Sequence, residues 1–251
     1  MRGQAAGGGP VSGARHSITP ATARTMRKAT KTMNIHTRND SRLAEPAGEA
    51  EAQQDALIRA FHERAMILLD REDTGAARQE IADLLQELSL RPNILPSVEL
   101  ERLHDAGTTA TILHEGPDGR GALMLLRLPS ELATPIHNHH SWGVACVVEG
   151  INRYWRWERL DDLQDSDRAE VRLVEVFEHG PGDYAMWGDP PQDLHAQQGV
   201  DEPAYEFVFF GRNPNLQPRS YFDPETGIVT HAAATDSMTA NANVKVGDSL
   251  V

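Results

Sequence analysis

At 251 residues and 27.7 kDa, the chain has room for one domain with a substantial core, or for one domain carrying long tails. No apolar run approaches the roughly twenty residues that a membrane span needs, and the single cysteine, Cys146, excludes an internal disulfide, so a soluble, cytoplasmic protein is expected. The net charge of -13 argues against nucleic acid or an anionic membrane as a partner and favours a small molecule.

The charge is unevenly placed. Residues 1–44 carry Arg2, Arg15, Arg24, Arg27, Lys28, Lys31, Arg38 and Arg42 against Asp40 alone. Set among Gly, Ala, Ser and Thr, they have the composition of an organellar transit peptide and equally of a disordered segment, and Met33 could be the true start. Residues 1–46 are read as a disordered or dispensable extension. From Glu49 to Asp70 the apolar residues Ala56, Leu57, Ala60, Phe61, Ala65, Met66 and Leu69 recur at spacings of three and four, the pattern of an amphipathic helix. Asp73-Thr74-Gly75 interrupts it, and Ala76 to Leu90 resumes it through Ile81, Leu84, Leu85 and Leu88. The pair predicts a helical hairpin covering one face of a sheet.

From Ala110 the texture becomes short apolar or alternating runs, "ALMLLRLP", "VACVVEG", "INRYWRWERL", "EVRLVEVFEHGPGD" and "AYEFVFFGR", punctuated by Gly, Pro and Asp. Regular short strands of this kind predict a mainly β sandwich or barrel. One folded unit is expected over 47–228, its β part beginning near 108. Residues 229–251, which lack periodicity, are expected to be a flexible tail.

The stretch "PIHNHHSWGVACVVEG", Pro135 to Gly150, places three histidines at the entrance of an apolar run. On an extended chain His137 and His139 project to one face about 7 Å apart, while His140 points away. "GDPPQDLH" brings His195 in after a proline-rich bend, and His137, His139 and His195 together make a candidate metal site. His104, His114, His179 and His231 show no partner pattern. Arg127, Arg153, Arg156 and Arg212 lie on or beside strands that could line a barrel, and Arg127 and Arg153 are the candidates for holding a substrate carboxylate. Trp142 is a candidate pocket wall, and Cys146 reads as inert packing.

"HNHHSWGVACVVEG" resembles the first motif of the cupin superfamily: a His-x-His pair, a spacer, a usually acidic position and, after six residues, a glycine, here Gly150. Gly143 stands where most cupins place a glutamate ligand. "GPGD" at Gly180 to Asp183, Pro190 and His195 resemble the second motif, from which Gln192 and Gly199 depart. A cupin with three histidines and no glutamate resembles the thiol dioxygenases of the cysteine dioxygenase type, and "RGALMLLRLPSELATPIHNH", Arg120 to His139, aligns with them without gaps.

The resemblance covers roughly Thr108 to Gly211. It implies a mainly β, cupin-type double-stranded β-helix barrel with an N-terminal helical hairpin. It also implies Fe(II) on His137, His139 and His195, and oxidation of a small, mercapto-acid-like thiol by O2 to a sulfinic acid. It does not extend to that family's substrate machinery. Glu206, Val208 and Phe210 stand in place of the Ser-His-Tyr relay, and Thr111 in place of the carboxylate-anchoring arginine. Arg127, Arg153, Trp142 and His140 are left as candidates for those roles. The same three histidines would equally suit a Zn, Mn or Ni cupin with hydrolase or lyase activity on a small acid, or a non-catalytic, ligand-binding cupin.

Overall fold

The computed structural model describes residues 47–105 and 109–233. The expected extension over 1–46, and 234–251 of the expected tail, lie outside the described residues. Three helices come first: α1 (Ala47–Leu68), α2 (Thr74–Ser89) and α3 (Ser97–Asp105). The strands then follow as β1 (Ala110–Glu115), β2 (Arg120–Leu128), β3 (Ile136–His137), β4 (Gly143–Glu149), β5 (Asn152–Arg159) and β6 (Val171–His179). They continue as β7 (Tyr184–Trp187), β8 (His195–Gly199), β9 (Ala204–Arg212), β10 (Arg219–Phe222) and β11 (Val229–Ala232).

The strands form two antiparallel sheets, one in the order β1-β2-β9-β4-β7 and the other in the order β11-β10-β3-β8-β5-β6. In the first sheet, alternate residues serve two cores. Leu123, Leu125, Val144, Cys146, Phe207 and Phe209 face outward and pack under Phe61, Ala65, Leu68, Ile81 and Leu85 of α1 and α2. Their neighbours Met124, Ala145, Val208 and Phe210 point the other way, into the barrel, where they meet Trp187. Strands buried on both faces are apolar throughout, which is why β2, β4 and β9 read as continuous apolar runs rather than alternating ones. Each such side chain contributes about 1.5–3 kcal/mol by leaving water. The Cys146 thiol, fully buried under the helices, is pushed by that burial up to about 11.

Helix α3 and the short strands β8, β10 and β11 were not legible in the sequence. Helix α3 is short and carries Glu99, Glu101 and Arg102. Strand β11 lies inside the expected tail, so the folded part runs past 228. Only four residues long, it is defined by its ladder to β10, Phe222 opposite Val229 and Arg219 opposite Ala232, rather than by any pattern of its own. No helix among the described residues is long and apolar enough to cross a membrane.

Candidate metal centre

Strand β3 is only two residues long but is paired on both sides, with His195 of β8 and Tyr221 of β10 directly opposite His137. Residues opposite one another in an antiparallel ladder project to the same face, so His137, His195 and Tyr221 all point into the barrel. His139 returns to that face two residues later. The loop bearing it is clamped by Asp193, whose Oδ2 accepts from the backbone N–H of His139 at 3.0 Å and of His140 at 2.9 Å. Asn138 ties the same loop to β10, its Oδ1 accepting from Ser220 N–H at 2.9 Å. His140 adopts φ 52°, a left-handed turn that takes it out of line, and its ring does not join the cluster.

The Nε2 atom of His139 lies 3.1 Å from that of His137 and 3.2 Å from that of His195. A single ligand atom from each ring can be chosen so that all three lie within 4.8 Å of one another. His137 Nδ1 bonds to the carbonyl of Pro135 at 2.8 Å and His195 Nδ1 to that of Asp193 at 3.1 Å, contacts that place the ring proton on Nδ1 and turn the Nε2 lone pair inward. Burial, reinforced by the neighbouring His195 and Arg219, holds the His137 ring well below its ordinary range, and burial with Arg219 and His137 does the same to His139. Burial takes His195 down to about 3. All three rings are therefore neutral at physiological pH, the form in which imidazole ligates a metal.

This donor set fits a first-row divalent metal: three convergent neutral imidazole nitrogens with no carboxylate among them. The position where the cupin resemblance expects a glutamate ligand is closed by packing. Gly143 sits opposite Trp187 in the β4–β7 ladder, and a Cβ there would lie 2.3 Å from Trp187 Cζ2. The Trp187 indole instead packs on the His195 ring at 4.9 Å, while Tyr154 stacks on it from another side at 5.2 Å.

A cavity reaches His137 and His139. Met124, Leu126 and Phe210 wall it, and Arg127, Gln197 and Arg219 supply its polar edge. Arg219 is the charged group nearest the histidines. It is 5% exposed, its Nη2 approaches His139 Nδ1 at 3.3 Å, and it donates to the Tyr221 hydroxyl. The Nε atoms of both Arg219 and Arg127 are buried without an acceptor. Two guanidinium donors that lack partners, at the edge of a cavity that ends on the histidines, suit an anionic group. Gln197 is held from behind. Its Nε2 donates to Glu206 Oε2 at 2.9 Å, and Asn152 Nδ2 donates to Glu206 Oε1 at 2.6 Å. Burial raises that carboxyl to about 7 against the pull of the two amides.

The structure therefore brings His137, His139 and His195 into one cluster, places Arg127 with His137 and His139 on the lining of one cavity, and sets other candidates elsewhere. Arg153 is exposed on the second sheet and paired with Glu178 at 2.6 Å, so it cannot anchor a ligand in the barrel. Arg156 is paired with Glu175 at 3.1 Å and half exposed. Trp142 packs on the outer face of the first sheet with Phe209, and Trp187 takes the wall position expected for it. Arg219 and Tyr221 escaped the sequence reading. Their only signal was the alternation in "RSYF" after Pro218, some eighty residues from His139.

Two antiparallel sheets closed round inward-facing histidines define the architecture. The fold is that of a cupin barrel. No family model matches the sequence, and no curated protein matches it. Among solved structures, the barrel is similar to the DMSP lyase DddQ from Ruegeria pomeroyi, at 16% identity and a TM-score of 0.37 over 70% of this chain and 98% of that one. It is also similar to a cupin superfamily protein from Desulfitobacterium hafniense, at 12% identity and 0.30 over 41% and 75%. For the hydroquinone 1,2-dioxygenase PnpCD the identity is 10% and the TM-score 0.33, over 41% of this chain and 63% of that one.

Proposed function

We propose that this cupin is an Fe(II)-dependent dioxygenase that converts a small thiol bearing a carboxylate, with O2, to the corresponding sulfinic acid. The observation that carries the reading is the pairing of three buried, neutral imidazoles and no carboxylate with two arginines, Arg219 and Arg127, that line the same cavity and whose Nε atoms are buried without an acceptor.

His137, His139 and His195 would hold the iron, which would supply redox chemistry with O2 when bound. The chain's own groups do the rest. Because the three ligands bring no negative charge, the site favours a thiolate over a neutral thiol. Arg219 and Arg127 bind the substrate carboxylate at the other end, and Tyr221 orients Arg219 by accepting one of its hydrogen bonds. Met124, Leu126 and Phe210 exclude water around the short chain between thiol and carboxylate. The net change is balanced: one thiol and one O2 give one sulfinic acid, both oxygen atoms ending on sulfur. The partners on this reading are the thiol and dioxygen.

Anaerobically reconstituted iron protein should consume O2 with a carboxylated thiol and accumulate the matching sulfinate in equal amount. Protein shown to hold iron that takes up no O2 with any thiol in a panel, with and without carboxylates, overturns the reading and directs attention to non-oxidative Zn, Mn or Ni chemistry at the same histidines.

A further inference from the structure

A second cleft lies apart from the cavity at the histidines. It measures about 440 Å³ and shares no lining residue with that cavity. It lies where the α1–α2 turn, the β1–β2 turn and the segment after β9 meet, against the outer side of Trp142. Leu68, Ala77, Ile81 and Leu216 line it with hydrocarbon. Arg71, Arg78, Arg120 and Arg212 surround that floor, with Asp118 the one carboxylate among the lining residues. A concentration of guanidinium groups over an apolar floor contrasts with a chain whose net charge is -13.

The cleft is built from donors. The Arg78 guanidinium lies over the Trp142 ring at 4.6 Å and is partnered on its far side by Asp189 at 2.7 Å. The Trp142 indole is held by the close approach of Gly211, where a Cβ would come within 2.2 Å of Nε1, so any larger residue would displace the ring. Among the described residues neither the Trp142 Nε1–H nor the Arg212 guanidinium has an acceptor. Arg71 is engaged by both Asp73 and Glu80, and Arg120 by Asp70, all in substantially exposed pairs. Such pairs contribute little and exchange readily for a competing carboxylate.

We infer that this cleft is a binding site for a small amphipathic organic anion, a carboxylate on a short hydrocarbon or aryl body, separate from the metal centre. The floor takes the apolar body, and Arg212 with the Trp142 Nε1–H takes the charge. The volume lies within the range of about 300–1,000 Å³ typical of small-molecule sites. Neither half suffices alone: inorganic phosphate has no body to bury, and a neutral alcohol leaves the donors without an ion.

Octanoate, titrated into isotope-labelled protein and followed by nuclear magnetic resonance, tests this directly. Trp142 is one of four tryptophans, and its indole N–H signal is identified as the one lost in Trp142→Phe. Octanoate should shift that signal saturably, octanol and inorganic phosphate should not, and Arg212→Gln should weaken octanoate by about tenfold, the loss of one charge-assisted hydrogen bond. Arg212 is exposed, and its replacement removes no buried contact. Absence of a shift overturns the inference. So does a response to octanol equal to that with octanoate, or an octanoate affinity that Arg212→Gln leaves unchanged. The readout needs no metal and no turnover, so its failure leaves the dioxygenase reading untouched, and the converse also holds.

Discussion

Arg219 and Glu206 are both buried in the barrel, and they act in opposite ways. Arg219 retains its charge despite burial, and on the proposed reading that charge is matched only when a carboxylate arrives. Arg219→Gln should therefore raise KM for a carboxylated thiol by about tenfold or more while changing kcat less, and should leave a thiol lacking the carboxylate unaffected. Equal losses on both thiols would show that Arg219 serves the fold and not the substrate. Glu206 answers burial by keeping its proton. Its carboxyl titrates near 4.5 when unfolded and at about 7 when folded, so across that window the native state binds the proton that the unfolded chain has released. The contribution is fully present below 4.5 and is lost as pH rises to 7, a decline of up to roughly 3 kcal/mol. Glu206→Gln should remove that decline, since Asn152 Oδ1, buried without a partner, can turn to accept from the new amide. Urea midpoints from pH 5 to 8.5 decide it, and parallel profiles for the two proteins would rule out a buried protonated carboxyl.

At the scale of the elements, the β4–β7 ladder explains why the cluster holds three histidines and no carboxylate. Gly143 faces the Trp187 indole, which is itself packed on the His195 ring, so side-chain volume at 143 pushes on the histidine cluster. Gly143→Ala should cost about 1–3 kcal/mol, an overpacking penalty. Gly143→Glu should lower metal affinity instead of adding a fourth ligand, and tighter metal binding by that variant, measured by competition with a chelator, would contradict this account. The same ladders set what could be read from sequence. The His-x-His pair was legible because strand alternation alone puts both rings on one face. The helical hairpin was legible because a period of three to four survives without knowledge of its partner. Arg219 and Tyr221 were not, because β10 is four residues long and gains its place only by pairing with β3 and β11. Trp142 was misplaced by one residue of register: its neighbour Gly143 begins the strand, and the indole falls on the helix-covered side.

At the scale of the whole molecule, the question is whether the helices are a separate cap or part of the barrel's own core. The packing argues for the second. Ile81 and Leu85 of α2 are fully buried against the outward residues of β2, β4 and β9, whose inward neighbours form the inner core beside the histidines. Strands packed on both faces cannot keep the inner layer ordered once the outer one is stripped, because their backbone would then carry an exposed apolar face. Helix loss, sheet loss and loss of the histidine cluster should accordingly coincide. Leu85→Ala, which opens a cavity between helix and sheet, should cost about 2–5 kcal/mol, and should lower the urea midpoints of far-ultraviolet circular dichroism and of tryptophan fluorescence together. Two separated transitions, with the helical signal lost first and the tryptophan environment intact, would show that the hairpin is a detachable layer and that the metal centre stands on the barrel alone.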